Sequence, residues 1–132
     1  MTLRRRPLGP ALTEAAAHGR TVLRLDLDGV HDRAGLFERC AGALTLPAWF
    51  GANWDALADA LHDLSWLPAA PGRLLAVESW RPFAQDRPQE WEVFTEILAE
   101  AEEFWRDGDQ GPLDVLLVDP APRPGPPPSA RR

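Results

Sequence analysis

Three aspartates, Asp55, Asp59 and Asp63, follow one another at steps of four residues, the spacing that places side chains along one face of a helix. Asn53 stands just before them and is a residue type that commonly caps a helix N-terminus. Each like-charge pair at this spacing costs an isolated helix about 0.2–0.5 kcal/mol. The last carboxylate would also lie near the negative end of the helix dipole. Such an unfavourable row of acids indicates a role outside the stability of the helix.

Carboxylates at this spacing could serve acid–base catalysis or metal binding, but the pattern favours neither. A catalytic pair needs two carboxyl groups with different pKa values in a cleft, whereas Asp55 and Asp59 on one exposed face would have nearly equal surroundings. Asp59, His62 and Asp63 could be metal ligands at i, i+3 and i+4, yet no second cluster of His or Cys completes a shell. A hydrolase that uses the acidic helix or a metal on it stays an alternative, and no cofactor is predicted.

Aromatic residues stand directly before the acidic segment. Trp49 and Phe50 lie in a loop bounded by Pro47 and Gly51, ahead of the point where a helical core stripe would begin. Aromatic side chains beside charged ones are typical of protein interfaces. The pattern therefore favours a protein-binding face over a merely solvated helix.

The charge distribution predicts a basic partner. The chain of 132 residues has a net charge of −6, and its twenty acidic residues all lie between Glu14 and Asp119, where eight arginines leave a charge of −12. A domain with this balance repels phosphate backbones and attracts basic surfaces. We therefore expect a basic protein as partner and no direct binding of nucleic acid by the folded domain.

The sequence predicts neither a membrane segment nor a secretion signal. No run of about 18 apolar residues occurs, and no apolar stretch follows the arginines at positions 4–6 as it would in a signal peptide. The single thiol, Cys40, lies where a helix face would be apolar, as expected of a reduced interior. These features predict a cytoplasmic protein without a membrane partner.

Alternating strands and helices predict an α/β fold. Strand character occurs over residues 21–28, 73–79 and 113–118. The predicted helices are one beginning at the N-cap Asp32, the acidic helix after Asn53, and a long one from Pro88 to Trp105, preceded by an irregular segment over 80–86. This order, β-α-α-β-α-β, predicts a three-stranded parallel sheet packed by helices.

The two ends differ in composition from the centre. Residues 1–19 are predicted to be an N-terminal extension in which at most a short part is ordered, because Met1–Pro10 is rich in arginine and too poor in apolar surface to order itself. Residues 20–119 are predicted to form the α/β domain. Residues 120–132 hold six of the fourteen prolines and are predicted to be a disordered Pro/Arg-rich tail.

The segment "LPAWFGANWDALADAL", residues 46–61, resembles the central motif of the barstar family, small cytosolic proteins that inhibit ribonucleases of the barnase and related guanyl-specific type. The shared features are an LP, a pair of aromatic residues, G-x-N, and D-A-L-x-D in the acidic helix. "LDGV" after the first strand, "ESWRPF" after the second and "LDVLLV" at the end extend the resemblance over residues 21–119.

The resemblance implies a barstar-like fold that lacks catalysis and a cofactor, and that is monomeric when free. Its acidic helix and preceding loop would plug the active site of a basic extracellular-type ribonuclease in a one-to-one complex. It assigns partner contacts to Trp49, Phe50, Gly51, Asn53, Asp55, Ala58, Asp59, His62 and Glu100. Asp59 would insert deepest among the basic groups of the enzyme, and Glu100, with Glu103 as alternative, would supply a second acid.

Two departures from the family pattern concern the target. Ala58 stands where the best-known member has a large aromatic residue, and extra residues separate the last helix from the last strand. The expected function is therefore that of an intracellular ribonuclease inhibitor, or immunity protein. A barstar-fold module that binds another basic protein or toxin nuclease is the alternative.

Overall fold

A computed structural model describes residues 3–106, 108 and 111–120, and in these residues a parallel sheet is packed by helices. The elements are β1 Arg4–Pro7, α1 Leu8–Ala17, β2 Thr21–Asp26, α2 Arg33–Leu44, α3 Trp54–Leu61, β3 Arg73–Glu78, α4 Arg81–Asp86, α5 Pro88–Arg106 and β4 Leu113–Asp119. The strand order across the sheet is β1-β4-β3-β2, and each neighbouring pair is parallel. The predicted α/β class is confirmed.

The N-terminal extension supplies a fourth strand, so the predicted count of three was wrong. β1 pairs with β4 at the edge of the sheet. Arg4 and Arg5 on this strand form salt bridges to Asp114 and Asp119 of β4, at 3.7 Å and 3.3 Å. Composition indicated that Met1–Pro10 could not bury enough surface to become ordered, but the neighbouring strand provides both hydrogen-bond partners and countercharges.

Helix α1 covers one face of the sheet. Ala11 and Ala15 are buried against Leu74 and Leu116, which point to this face because side chains alternate along each strand. The sheet is thus covered on both faces, as parallel sheets usually are. This double cover explains the apolar runs Leu74–Val77 in β3 and Val115–Val118 in β4.

The main core lies on the opposite face, between the sheet and helices α2, α3 and α5. The predicted helix after Asp32 is present as α2, and its apolar residues Leu36, Phe37, Cys40 and Leu44 are all buried. The predicted cap is also present: the side chain of Asp32 accepts a hydrogen bond from the Gly35 backbone N–H at 2.8 Å.

Two further predictions concern segments outside these main elements. Residues 80–86 are not irregular, because most of them form the short helix α4, a length too small to display a helical period in the sequence. The tail predicted over 120–132 lies outside the described residues except for Pro120, and its disorder stays a prediction. Among the described helices, none has the length and apolar character needed to cross a membrane.

The buried thiol of Cys40 leads to a testable prediction. Burial raises the pKa of Cys40 to about 12, so the reactive thiolate is scarce at neutral pH. We expect a thiol reagent to modify native protein only at the rate of global unfolding, and to modify it fast in denaturant. Stoichiometric labelling of the native protein, faster than its unfolding rate, would contradict this.

Glu102 of α5 completes the hydrogen bonding of β4. Its carboxylate accepts a hydrogen bond from the Val115 backbone N–H at 2.7 Å, one residue before the stretch of β4 that pairs with β1. Burial raises the pKa of Glu102, although this hydrogen bond and nearby arginines act in the opposite direction. The folded protein therefore holds this proton more tightly than the unfolded chain does. Ionisation of Glu102 consequently lowers stability as pH rises above the usual carboxyl range.

We therefore expect Glu102→Gln to be at least as stable as the wild type at neutral pH, because the amide oxygen still accepts the Val115 hydrogen bond and carries no charge. The advantage should shrink as pH falls towards the ordinary glutamate pKa, where wild-type Glu102 becomes protonated. Urea unfolding across that pH range measures this difference. Glu103→Gln, at an exposed neighbour, is the control and should show no such dependence; a Glu102→Gln protein that is clearly less stable at neutral pH would refute the assignment.

Candidate protein-binding site

Helix α3 presents two of the three aspartates to solvent as a row. Asn53 caps the helix, accepting a hydrogen bond from the Ala56 backbone N–H at 2.8 Å, as predicted. Asp55 and Asp59 are exposed, while the opposite side of the helix is buried in the core. Asp63 is also exposed but lies beyond the end of the helix, so it does not continue the row.

The charges of this row are not compensated within the described part of the chain. Neither Asp55 nor Asp59 takes part in a salt bridge there. Other acids are paired, for example Asp119 with Arg81 at 2.8 Å, a contact that lowers the pKa of Asp119. The arginines thus neutralise the strand ends and leave the α3 row available to a partner.

The two aromatic residues of the loop before α3, Trp49 and Phe50, differ in exposure and in contacts. Trp49 is 59% exposed and rests edge-on against Trp66, with ring centroids 5.8 Å apart. Phe50 is half-buried and packs edge-on against Phe37 of α2 at 6.1 Å. Trp49 is therefore free to meet a partner, whereas Phe50 fastens the loop to the core.

The backbone of this loop is strained next to the acidic row. Ala52 has a φ of 52°, a left-handed conformation that costs a non-glycine residue about 1–2 kcal/mol. The neighbouring Gly51 is exposed, and a Cβ there would approach the Asn53 side-chain nitrogen to 3.2 Å. Strain of this kind clusters at binding sites and supports the assignment of the loop to one.

Helix α5 runs beside α3 in the same direction. Near the helix starts, the rings of Trp54 and Phe94 lie 6.5 Å apart. At the ends, the Trp105 indole N–H donates a hydrogen bond to the Leu61 carbonyl oxygen at 2.6 Å. The C-terminal half of α5 therefore borders the C-terminal half of α3.

Glu100 lies on the flank of α5 that borders α3. It stands four residues before Phe104, whose ring stacks on that of His62 with centroids 4.5 Å apart, and residues four apart share a helix face. Phe104 and His62 lie at the same height, and the two helices run in the same direction. Four residues earlier on each chain segment, Glu100 is therefore at the height of Ala58. Glu103 lies about 100° around α5 from Phe104. Helix spacing therefore favours Glu100 over Glu103 as the α5 carboxylate on the flank next to α3.

Phe104 was missed by reasoning from the sequence. It is 52% exposed and lies against His62, a predicted contact residue at the C-terminal end of α3. The sequence feature that could have revealed it is its position on α5: Trp105 belongs to the apolar stripe of this helix, whereas the neighbouring Phe104 does not. An aromatic residue outside the core stripe of an amphipathic helix is a candidate surface contact.

The alternative sites considered from the sequence find no support in this geometry. In the described part of the chain, no three His, Cys, Asp or Glu side chains converge as a metal site would require, so Asp59, His62 and Asp63 do not form one.

A groove of about 790 Å³ lies at the carboxyl edge of the sheet, where α/β proteins often bind ligands. Its wall includes Trp80, and its rim charges Arg81 and Asp119 are paired with each other.

Comparison with known proteins agrees with the motif in α3. A family model described as "Barstar (barnase inhibitor)" matches residues 20–117, from the start of β2 into β4, and leaves out β1 and α1. No curated protein matches the chain. Because the family match spans most of the 132 residues, the chain belongs to the barstar family, the family of the barnase inhibitor.

Proposed function

We propose that this protein inhibits a small basic ribonuclease of the barnase-like, guanyl-specific type inside the cell that makes it. In this proposal α3 and the preceding loop occupy the active site of the enzyme, and the aspartates take the places of RNA phosphates among its cationic groups. The observation that carries the proposal is that Asp55 and Asp59 are exposed and form no salt bridge with any described residue, on a member of an inhibitor family. The protein would act by binding alone, without catalysis or a cofactor.

A comparison of energies supports binding as the purpose of the row. The like-charge pair costs the free helix about 0.2–0.5 kcal/mol. One hydrogen bond from an arginine or lysine of a partner to a carboxylate contributes about 1.5–3 kcal/mol. Trp49 would add an apolar contact near the loop, and Glu100 would add a second carboxylate from α5. The free energy gained from such hydrogen bonds in the complex therefore exceeds the free energy that the like-charge repulsion costs the free protein.

A titration of enzyme activity tests the proposal. The full chain is added to barnase at a fixed concentration, and the residual cleavage of a fluorescent RNA substrate is followed. We expect activity to fall linearly to an endpoint at one inhibitor per enzyme. Unchanged activity across barnase and a panel of other basic guanyl-specific ribonucleases would refute the proposal.

A second candidate, a module that binds another basic protein or toxin nuclease, is favoured by one observation. Ala58, half-buried in the middle of α3, stands where the best-known family member has a large aromatic residue, so the surface lacks the contact area of that ring. The same panel extended to basic nucleases that cleave DNA separates the candidates. Tight binding to one of these, with no effect on ribonucleases, would favour the second.

Association should slow steeply as salt is added. The described acidic row is uncompensated, and exposed charges attract a basic partner only within a screening length of about 10 Å at 0.1 M salt. Barnase and barstar are themselves a standard example of such steering, so the idea is transferred from the family. We expect the association rate constant, measured by stopped flow, to fall about tenfold or more between low and molar salt. Asp59→Asn should flatten this slope, and a flat slope in the wild type would contradict steering.

A further inference from the structure

An aromatic pair lies at the C-terminal end of the acidic row. Phe104 exposes 52% of its surface, and its ring stacks on the imidazole of His62 with an angle of 15° between the two planes. One face of the Phe104 ring is therefore covered by His62, and the remaining exposed surface faces outward. A single exposed apolar side chain is ordinary, so its immediate surroundings decide whether it has a role.

The imidazole of His62 has an unfavourable feature in the free protein. The Nε2 atom of His62 is buried and has no hydrogen-bond partner among the described residues. A buried ring nitrogen without a partner lowers stability, because it has lost its hydrogen bonds to water. The described residues do not offset this cost, so stability alone does not explain the surroundings of His62.

Two carboxylates without a salt bridge in the described part of the chain share helix faces with the two rings. Asp59 stands three residues before His62 on α3, and Glu100 stands four residues before Phe104 on α5, so each shares a helix face with one ring. Both are exposed, and neither forms a salt bridge within the described ranges. The face of an aromatic ring is itself negative and attracts cations. Ring and carboxylates together favour a cation over an anion or a neutral group.

The planar shape of the ring selects among cations. An arginine guanidinium stacks flat on an aromatic face and also donates paired hydrogen bonds to carboxylates, whereas a lysine ammonium is a compact, strongly hydrated charge. We propose that Phe104, supported by His62, binds an arginine side chain of the basic protein that docks on α3, with Glu100 and Asp59 as hydrogen-bond acceptors. This rests on the proposed function, and it adds an aromatic contact beside the carboxylate that α5 already contributes to the binding surface.

Three substitutions of one residue in the full chain test the proposal with barnase as the probe. Phe104→Tyr keeps the ring, Phe104→Leu keeps apolar surface without a ring, and Phe104→Ala removes both. We expect Phe104→Tyr to bind within about twofold of the wild type, and the other two to bind about five- to thirtyfold more weakly, the range of a cation–π contact. Wild-type affinity in Phe104→Leu would overturn the stacking, and wild-type affinity in Phe104→Ala would overturn the contact altogether.

A stability measurement accompanies each variant. Thermal unfolding of Phe104→Ala should begin close to that of the wild type, because Phe104 is already 52% exposed and the variant loses only one stacking contact. If Phe104→Ala instead unfolds at a clearly lower temperature and binds normally while folded, Phe104 is a structural residue and the proposal is wrong.

A peptide probe separates this proposal from the proposed function. If the wild type fails to inhibit barnase, the inhibitor assignment for that enzyme fails, but the arginine contact is still measured by titrating the full chain with hexa-arginine in NMR spectra. We expect the ring signals of Phe104 and His62 to shift, and the shift of His62 to vanish in Phe104→Leu. Hexa-arginine that moves the α3 amides without moving these ring signals, or that moves neither, overturns the proposal.

Discussion

Asp59→Ala should weaken binding to a barnase-like nuclease by about a hundredfold to several thousandfold. Removing one member of a desolvated ion pair costs about 3–5 kcal/mol, because the charge that remains is buried without a partner, and each 1.4 kcal/mol is tenfold in Kd. Asp59 is exposed in the free protein and unpaired in the described part of it. The fold should therefore be unaffected, or slightly more stable through loss of the repulsion from Asp55.

Asp63→Ala is the matched control for this experiment. It removes the same charge from an exposed position close to Asp59, but beyond the end of α3 and outside the row. Isothermal titration calorimetry should show a small change for this variant, while urea unfolding should show both variants near wild-type stability. If Asp59→Ala unfolds but its folded fraction inhibits normally, Asp59 is a structural residue and the mimicry of RNA phosphates is refuted.

Deletion of residues 1–19 should destabilise the protein strongly, although the family match begins only at residue 20. The deletion removes β1 and α1 and uncovers Leu74 and Leu116, which are buried beneath α1. Exposing a buried leucine costs about 1.5–3 kcal/mol, so the two together cost about 3–6 kcal/mol. A small protein has a total stability of about 5–15 kcal/mol. We therefore expect a much lower urea midpoint, with binding retained by the folded fraction because α3 lies on the other side of the sheet.

A pair of substitutions tests the same contact without deleting any chain. Ala15 is buried against the sheet and Ala16, its neighbour on α1, is exposed. Ala15→Asp should lower the urea midpoint strongly because it buries an unpaired charge, whereas Ala16→Asp should have a small effect. Equal stabilities for the two variants, or an unchanged midpoint after the deletion, would mean that α1 does not cover the sheet in solution.

Several features that short stretches of sequence determine were predicted correctly. The strand in 21–28, the caps at Asp32 and Asn53, and the long helix from Pro88 each depend on residues within a few positions of one another. The backbone and the nearest turn decide such features, so a local pattern is sufficient to find them. The exposure of Asp55 and Asp59 follows for the same reason, since one amphipathic helix buries one side and presents the other.

Local patterns do not predict contacts between segments that are far apart in the sequence. β1 becomes ordered because β4, more than a hundred residues later, supplies its hydrogen bonds and countercharges. Glu102 looks like any surface glutamate of α5 until β4 presents the Val115 N–H to it.

The sequence alone determined an α/β chain with an exposed acidic helix behind an aromatic loop. Only the tertiary structure decided that the flank of α5 bearing Phe104 lies next to that helix, where the Phe104 ring stacks on His62. The physical reason is that helix packing fixes which flank of α5 faces α3. That choice depends on the Trp54–Phe94 and Trp105–Leu61 contacts between residues about forty positions apart.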